Sequence, residues 1–174
     1  MFDSVHEECG VFGMFQPHQT NSVSLTYLGL YALQHRGQES CGIAVCDDGI
    51  ITQKKENGLV SEVFTPEVLQ SLGKGSIAVG HVRYSTTGGN NPNNIQPLVI
   101  GHIKGNAALV HNGNLTNATE LRRNFELSGA IFQGSSDTEA IAYTIVQQRL
   151  KSNSTEQAVE KEAATAEKAA EAAV

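Results

Sequence analysis

Cys9 stands immediately before a glycine-punctuated apolar run, Gly-Val-Phe-Gly-Met-Phe at 10–15. A thiol attacks well once deprotonated, and with an ordinary pKa of about 8.5 it needs a base or a cationic neighbour. If residues 1–8 were removed, the new α-amino group of Cys9 could be that base. Its reference pKa of about 7.7–8.0 lies close to working pH. One residue would then supply both nucleophile and base. The plainer alternative is a cysteine buried as filler.

Three further clusters could carry chemistry. Gly80-His81-Val82-Arg83 ends a strand in an arginine and opens into a polar loop rich in glycine and asparagine, through Gly88-Gly89 to Asn94. A guanidinium fork suits a carboxylate held by two hydrogen bonds, and such a loop could act as a lid. An ordinary solvent loop with a surface arginine fits these residues equally well. His111-Asn112-Gly113-Asn114 follows the apolar Ala107–Val110. It reads either as a hairpin turn or as an oxyanion hole built from the Asn112 amide and the Gly113 N–H. Ser136-Asp137-Thr138-Glu139 is at least a helix N-cap. Its carboxylate could also hold the ammonium group of an amino acid.

The elements that must position these residues follow from local signals. Residues 10–15 read as a buried strand, and the spacing of Leu25, Leu28, Tyr31 and Leu33 predicts a helix over 25–34 leading into Gln34-His35-Arg36-Gly37. Apolar runs at 42–46 and 49–53 flank Asp47-Asp48-Gly49, a strong hairpin signal. Thr65-Pro66-Glu67 opens a helix with a capping hydroxyl, a first-turn proline and an acid. Residues 75–81 and 107–111 are further strands. Asn117 opens one helix and Ser136 another, which runs to about Leu150. The interspersed strands and helices, with at least two hairpins, give an α+β layered domain with antiparallel sheet. Residues 151–155 read as a linker. Residues 156–174 are almost wholly Ala, Glu and Lys, a stretch of high helix propensity with little to pack against.

With 174 residues the chain is the size of one domain. A net charge of −6 argues against a nucleic-acid or anionic-membrane partner. No apolar stretch reaches the roughly 18 residues of a membrane helix, and the acidic start has no signal-peptide pattern. Three cysteines (Cys9, Cys41 and Cys46) suit a reducing cytoplasm. Cys41 and Cys46 fall in an expected buried strand.

Six motifs occur in order: Cys9-Gly-Val-Phe-Gly, Leu33-Gln-His-Arg-Gly-Gln38, Asn57-Gly-Leu-Val-Ser-Glu-Val-Phe64, Gly80-His-Val-Arg-Tyr-Ser-Thr86, His111-Asn-Gly-Asn-Leu-Thr-Asn117 and Ser136-Asp-Thr-Glu139. Together they resemble the N-terminal glutaminase domain of the glutamine phosphoribosylpyrophosphate amidotransferase (amidophosphoribosyltransferase) family, class II glutamine amidotransferases of the N-terminal-nucleophile (Ntn) hydrolase superfamily. The resemblance implies a four-layer αββα sandwich. It implies attack of Cys9 on the glutamine side-chain amide through a glutamyl thioester, supplying ammonia for purine synthesis. It puts Arg83 on the substrate α-carboxylate with Thr86 beside it, Asn112 and Gly113 in the oxyanion hole, and Asp137 on the α-amine. Arg36 and Gly37 match the loop packed against the nucleophile.

The resemblance also divides the chain: a propeptide at 1–8, a partial glutaminase domain at 9–155, and a helical tail at 156–174 where the family continues with further strands. The sandwich is therefore expected to be truncated in its second half. The family's phosphoribosyltransferase portion has no counterpart here. Magnesium, and in some members an iron–sulfur cluster, belong to the full-length family, whose members are homo-oligomeric. No cofactor or metal is expected within these residues. A catalytically inactive piece with an association helix is the alternative expectation.

Overall fold

The computed structural model describes residues 9–17, 21–84 and 91–151. The expected propeptide and tail, most of the linker, and Thr86 with Gly88 and Gly89 of the expected lid lie outside the described residues. The chain divides into two compact units, 1–112 and 113–174.

The first unit is built on a four-stranded antiparallel sheet in the order β1-β4-β2-β3. Its strands are β1 (Gly10–Phe15), β2 (Ser40–Asp47), β3 (Ile50–Asn57) and β4 (Ile77–Arg83). The β2–β3 hairpin turns at Asp48 and Gly49, with φ of 46° and 81°. Two positive φ values define a turn whose twist matches the flanking strands, and an Asp-Gly pair is suited to adopt it. Helices α1 (Ser22–Ala32), α2 (Val60–Val63) and α3 (Pro66–Leu72) accompany the sheet. Thr65 caps α3 as expected: its hydroxyl accepts the Val68 N–H at 3.4 Å. α1 begins three residues before the expected helix and ends two before it.

Strand alternation sorts the sheet's two faces. Cys41, Ile43, Val45, Ala78 and Val82 face the core, together with Val23 and Leu30 of α1, Val60 and Val63 of α2, and Phe64 and Leu72. α1 lies close because Gly80 is bare: a Cβ there would stand 2.7 Å from Leu30 Cδ1 and 2.8 Å from Thr26 Cγ2. The opposite face presents Gly42, Ala44, His81 and Arg83. Against it lies a second, two-stranded antiparallel sheet, β5 (Leu98–His102) and β6 (Gly105–Leu109). A Cβ on Gly42 would fall 2.1 Å from the Gln96 carbonyl oxygen, so glycine is what admits the segment leading into β5. Helix, sheet and second sheet are thus three layers of an αββα arrangement.

The sequence reading contains no strand at β5, and β6 begins and ends two residues before the run expected at 107–111. The hairpin turns at Ile103-Lys104, not at Asn112-Gly113. The turn reading of that motif therefore gives way to an irregular segment outside the sheet.

The second unit holds α4 (Ala118–Leu127) and α5 (Asp137–Lys151), which pack on each other. Tyr143 stacks against Phe125 and Phe132, with ring centroids 5.4 and 4.9 Å away, and donates to the Ile131 carbonyl at 2.8 Å. Glu139 accepts the Gln133 and Gly134 N–H groups, both at 2.9 Å, and so fixes the turn before α5. Asn117 stands at the N-cap of α4 without a side-chain capping bond.

Candidate active site

Pairing of Gly10 with Val82 brings Cys9 beside the end of β4. Its sulfur rests on the Tyr84 backbone: the Tyr84 N–H donates to Sγ at 3.4 Å, and Sγ–H reaches the Tyr84 carbonyl at 3.5 Å. A sulfur that can donate to and accept from the backbone of one residue has a partner in either protonation state. Cys9 is half-buried.

The Cys9 carbonyl takes two side-chain donors, Arg36 Nε at 3.1 Å and Asn112 Nδ2 at 2.8 Å. These residues lie 27 and 103 positions away in sequence, so the contact is made by folding alone. Together they fix the peptide after the nucleophile, and hence the direction of its side chain. Asn112 thereby brings its side-chain amide against the backbone of the candidate nucleophile.

Arg36 is delivered by a single 3-10 turn, Gln34–Arg36, continuing α1. Gln34 locks that turn from both ends of its amide: Nε2 donates to the Gly37 carbonyl at 2.5 Å, and Oε1 accepts the Val60 N–H at 2.6 Å. Gly37 is required by close approach. A Cβ there would meet the Arg83 N and C atoms and the Val82 C atom at 2.7 Å. The Glu39 N–H then bonds the Arg83 carbonyl at 3.1 Å, completing the seam between this loop and β4.

Arg83 is the last residue of β4, as expected, and only 8% of it is exposed. His81 shares its face of the strand and is fully buried. Burial pushes its pKa down from 6.5 to about 4; the Arg83 and His111 charges act the same way, and the His111 backbone pulls it partly back. A neutral imidazole therefore lies beside the candidate carboxylate-binding arginine.

Cys41 is buried, its thiol directed at the Gly58 carbonyl at 3.6 Å. Burial first, then the Glu56 and Glu62 charges, push its pKa up to about 12, which makes it inert. Cys46 is half-buried and lines an apolar cleft of about 240 Å³ between the two sheets.

Of the residues singled out from sequence, the structure brings together Cys9, Arg36, Gly37, Arg83 and Asn112. Gly113 and Asp137 belong to the second unit, where the Asp137 carboxylate accepts the Leu115 N–H at 2.9 Å and so ties α5 to the segment after Gly113. Thr86 lies outside the described residues. Missed by sequence were the Tyr84 backbone, which carries no side-chain signal, the bracing role of Gln34, whose motif does not reveal its distant partners, and Gln96, an isolated glutamine with no diagnostic spacing. Among the described residues, no helix is long and apolar enough to cross a membrane, and no cluster of three or more His, Cys, Asp or Glu is placed to hold a metal ion.

Known proteins resemble this chain in sequence and in fold. A family described as a glutamine amidotransferase domain matches residues 66–154. The amidophosphoribosyltransferase of Methanocaldococcus jannaschii is 49% identical over 145 residues, 83% of this chain and 31% of that protein. That of Bacillus subtilis is 48% identical over 142 residues, 81% of this chain and 29% of the relative. The solved allosteric regulatory enzyme of purine biosynthesis superposes with a TM-score of 0.80 at 42% identity, covering 89% of this chain and 32% of that one. The glutamine phosphoribosylpyrophosphate amidotransferase of B. subtilis, complexed with ADP and GMP, gives 0.78 at 41% identity over the same shares. The chain thus spans about a third of the length of the curated relatives it matches. With the layered αββα architecture matched over most of its length, the chain belongs to the glutamine amidotransferase domain family, in the Ntn-hydrolase fold.

Proposed function

We propose that this chain hydrolyses the side-chain amide of glutamine to glutamate and ammonia, as the ammonia-supplying portion of a purine-pathway amidophosphoribosyltransferase in the cytoplasm. One observation carries the reading: the Cys9 carbonyl is clamped by Arg36 and Asn112 while its sulfur rests on the Tyr84 backbone. A nucleophile held in one orientation with an amide donor beside it is what acyl transfer requires.

In the proposed reaction the Cys9 thiolate attacks the amide carbon of glutamine. The C=O electron pair moves onto oxygen, and Asn112 donates to the resulting oxyanion. Collapse breaks the C–N bond, and nitrogen leaves as ammonia with the proton taken from the thiol. Water then attacks the thioester, giving glutamate and the free thiol. Arg83 is proposed to bind the substrate α-carboxylate. From the family resemblance, Gly113 is proposed as the second oxyanion donor, Asp137 for the α-ammonium, and Thr86 beside Arg83. Removal of residues 1–8 is proposed to expose the α-amine of Cys9 as the base.

The test is an intact-mass spectrum of the full chain before and after exposure to a glutamine-mimicking electrophile, with Cys9→Ala alongside. Loss of residues 1–8 and one adduct at Cys9, absent in the variant, is expected. A full-length, unlabelled mass would refute the reading for this chain.

A further inference from the structure

We propose that Gln96 is a positioning residue for the reaction, acting through Asn112; the proposal rests on the glutaminase reading above. His111 lies two residues beyond the end of β6 at Leu109, past the regular ladder that β5 provides. Gln96 supplies a substitute for that ladder. Its Oε1 accepts the His111 N–H at 2.6 Å, and its Nε2 donates to the His111 carbonyl at 3.1 Å. One amide thus holds both backbone groups of the residue immediately before Asn112, as a neighbouring strand would.

Gln96 is itself anchored. It is only 8% exposed, and the carbonyls on either side of it, of Ile95 and Pro97, accept from Lys55 Nζ at 2.7 and 3.2 Å. Lys55 sits in β3 opposite Gly42, the glycine that admits the Gln96 carbonyl. A continuous path therefore runs from the four-stranded sheet through Lys55 and Gln96 to His111, and from Asn112 to the Cys9 carbonyl. Glutamine suits this position because it carries one acceptor and one donor at matching reach. Glutamate keeps the acceptor and loses the donor; leucine loses both.

The experiment compares the wild-type full chain with Gln96→Leu and Gln96→Glu. Five quantities are read: hydrogen exchange at the His111 amide, the Asn112 side-chain NH2 resonances, kcat and KM for glutamine, and the rate of iodoacetamide alkylation at Cys9. Alkylation passes through no oxyanion, so it reports the nucleophile alone. In Gln96→Leu, His111 exchange is expected to quicken about tenfold or more as its acceptor is lost, with the Asn112 resonances displaced. Its kcat should fall about 100-fold, the scale of a small misplacement near the reacting atoms, with KM within about threefold and alkylation within about twofold. Gln96→Glu should retain most of the His111 N–H protection, yet lose kcat as well.

An unchanged kcat in Gln96→Leu overturns the proposal. So does a parallel fall in kcat, alkylation and exchange protection across the whole first unit, which would mark a merely structural role. If the wild-type chain hydrolyses no glutamine, it is the glutaminase reading that fails. The exchange and resonance measurements then still decide, and unchanged values in Gln96→Leu refute the positioning role.

Discussion

Mild acid should weaken the fold through one side chain, His81. Its ring is buried, and burial, helped by the Arg83 and His111 charges, outweighs the opposing pull of the His111 backbone and holds its pKa at about 4 against an ordinary 6.5. Between those two values the unfolded chain binds a proton that the folded chain refuses. The contribution of this group is therefore complete above pH 6.5 and declines as pH falls, until it is lost below about pH 4. At ~1.4 kcal/mol per pH unit, the span from 6.5 to about 4 is worth about 3 kcal/mol. That is a large share of the roughly 5–15 kcal/mol that stabilises an ordinary domain. The assay is urea unfolding from pH 8 to 4 for the wild type and His81→Gln, in which carboxylate titrations common to both cancel. The stability difference should shift by about 3 kcal/mol toward the variant over this range, at an unchanged dependence on denaturant. Parallel curves, or an imidazole titrating near 6.5 by NMR, would refute the reasoning.

Cys41 should resist thiol reagents in the folded chain at pH 8 while Cys9 reacts, because burial pushes the Cys41 pKa to about 12; differential alkylation mapped by peptide mass decides, and faster labelling of Cys41 would contradict the assignment. Arg83→Lys should raise KM for glutamine roughly tenfold, a point charge replacing a planar fork; an unaltered KM would remove Arg83 from the carboxylate role. Gly37→Ala should cost about 1–3 kcal/mol by thermal unfolding, since the added methyl meets backbone atoms of Val82 and Arg83 that have little room to yield. A neutral result there would mean that the seam beside the nucleophile is looser than described.

Several elements were legible because their signals are local. Asp48-Gly49 announces a hairpin through its own φ angles, and Thr65-Pro66 announces a helix through its own cap. Arg83 closes its strand as its position after an apolar run suggests. The six motifs, taken in order, carried the family and the candidate nucleophile. β5 escaped because Leu98–His102 is short and turns at Ile103-Lys104, where no Asn-Gly or Asp-Gly precedes Gly105 to mark the turn.

Asn112-Gly113 is the converse case, since its local chemistry permits a turn and tertiary contacts exclude it. Gln96 takes the backbone of the preceding residue, and the Cys9 carbonyl takes the Asn112 amide. Residue types and short spacings in the sequence determined which groups could act and which segments could be strands or helices, because turns, caps and alternation are satisfied within a few residues. Only the tertiary structure decided the strand order β1-β4-β2-β3, the burial of His81, the inertness of Cys41 and the two donors on the Cys9 carbonyl. Each of these depends on which distant backbone or charge comes to lie against a given side chain, and packing alone sets that.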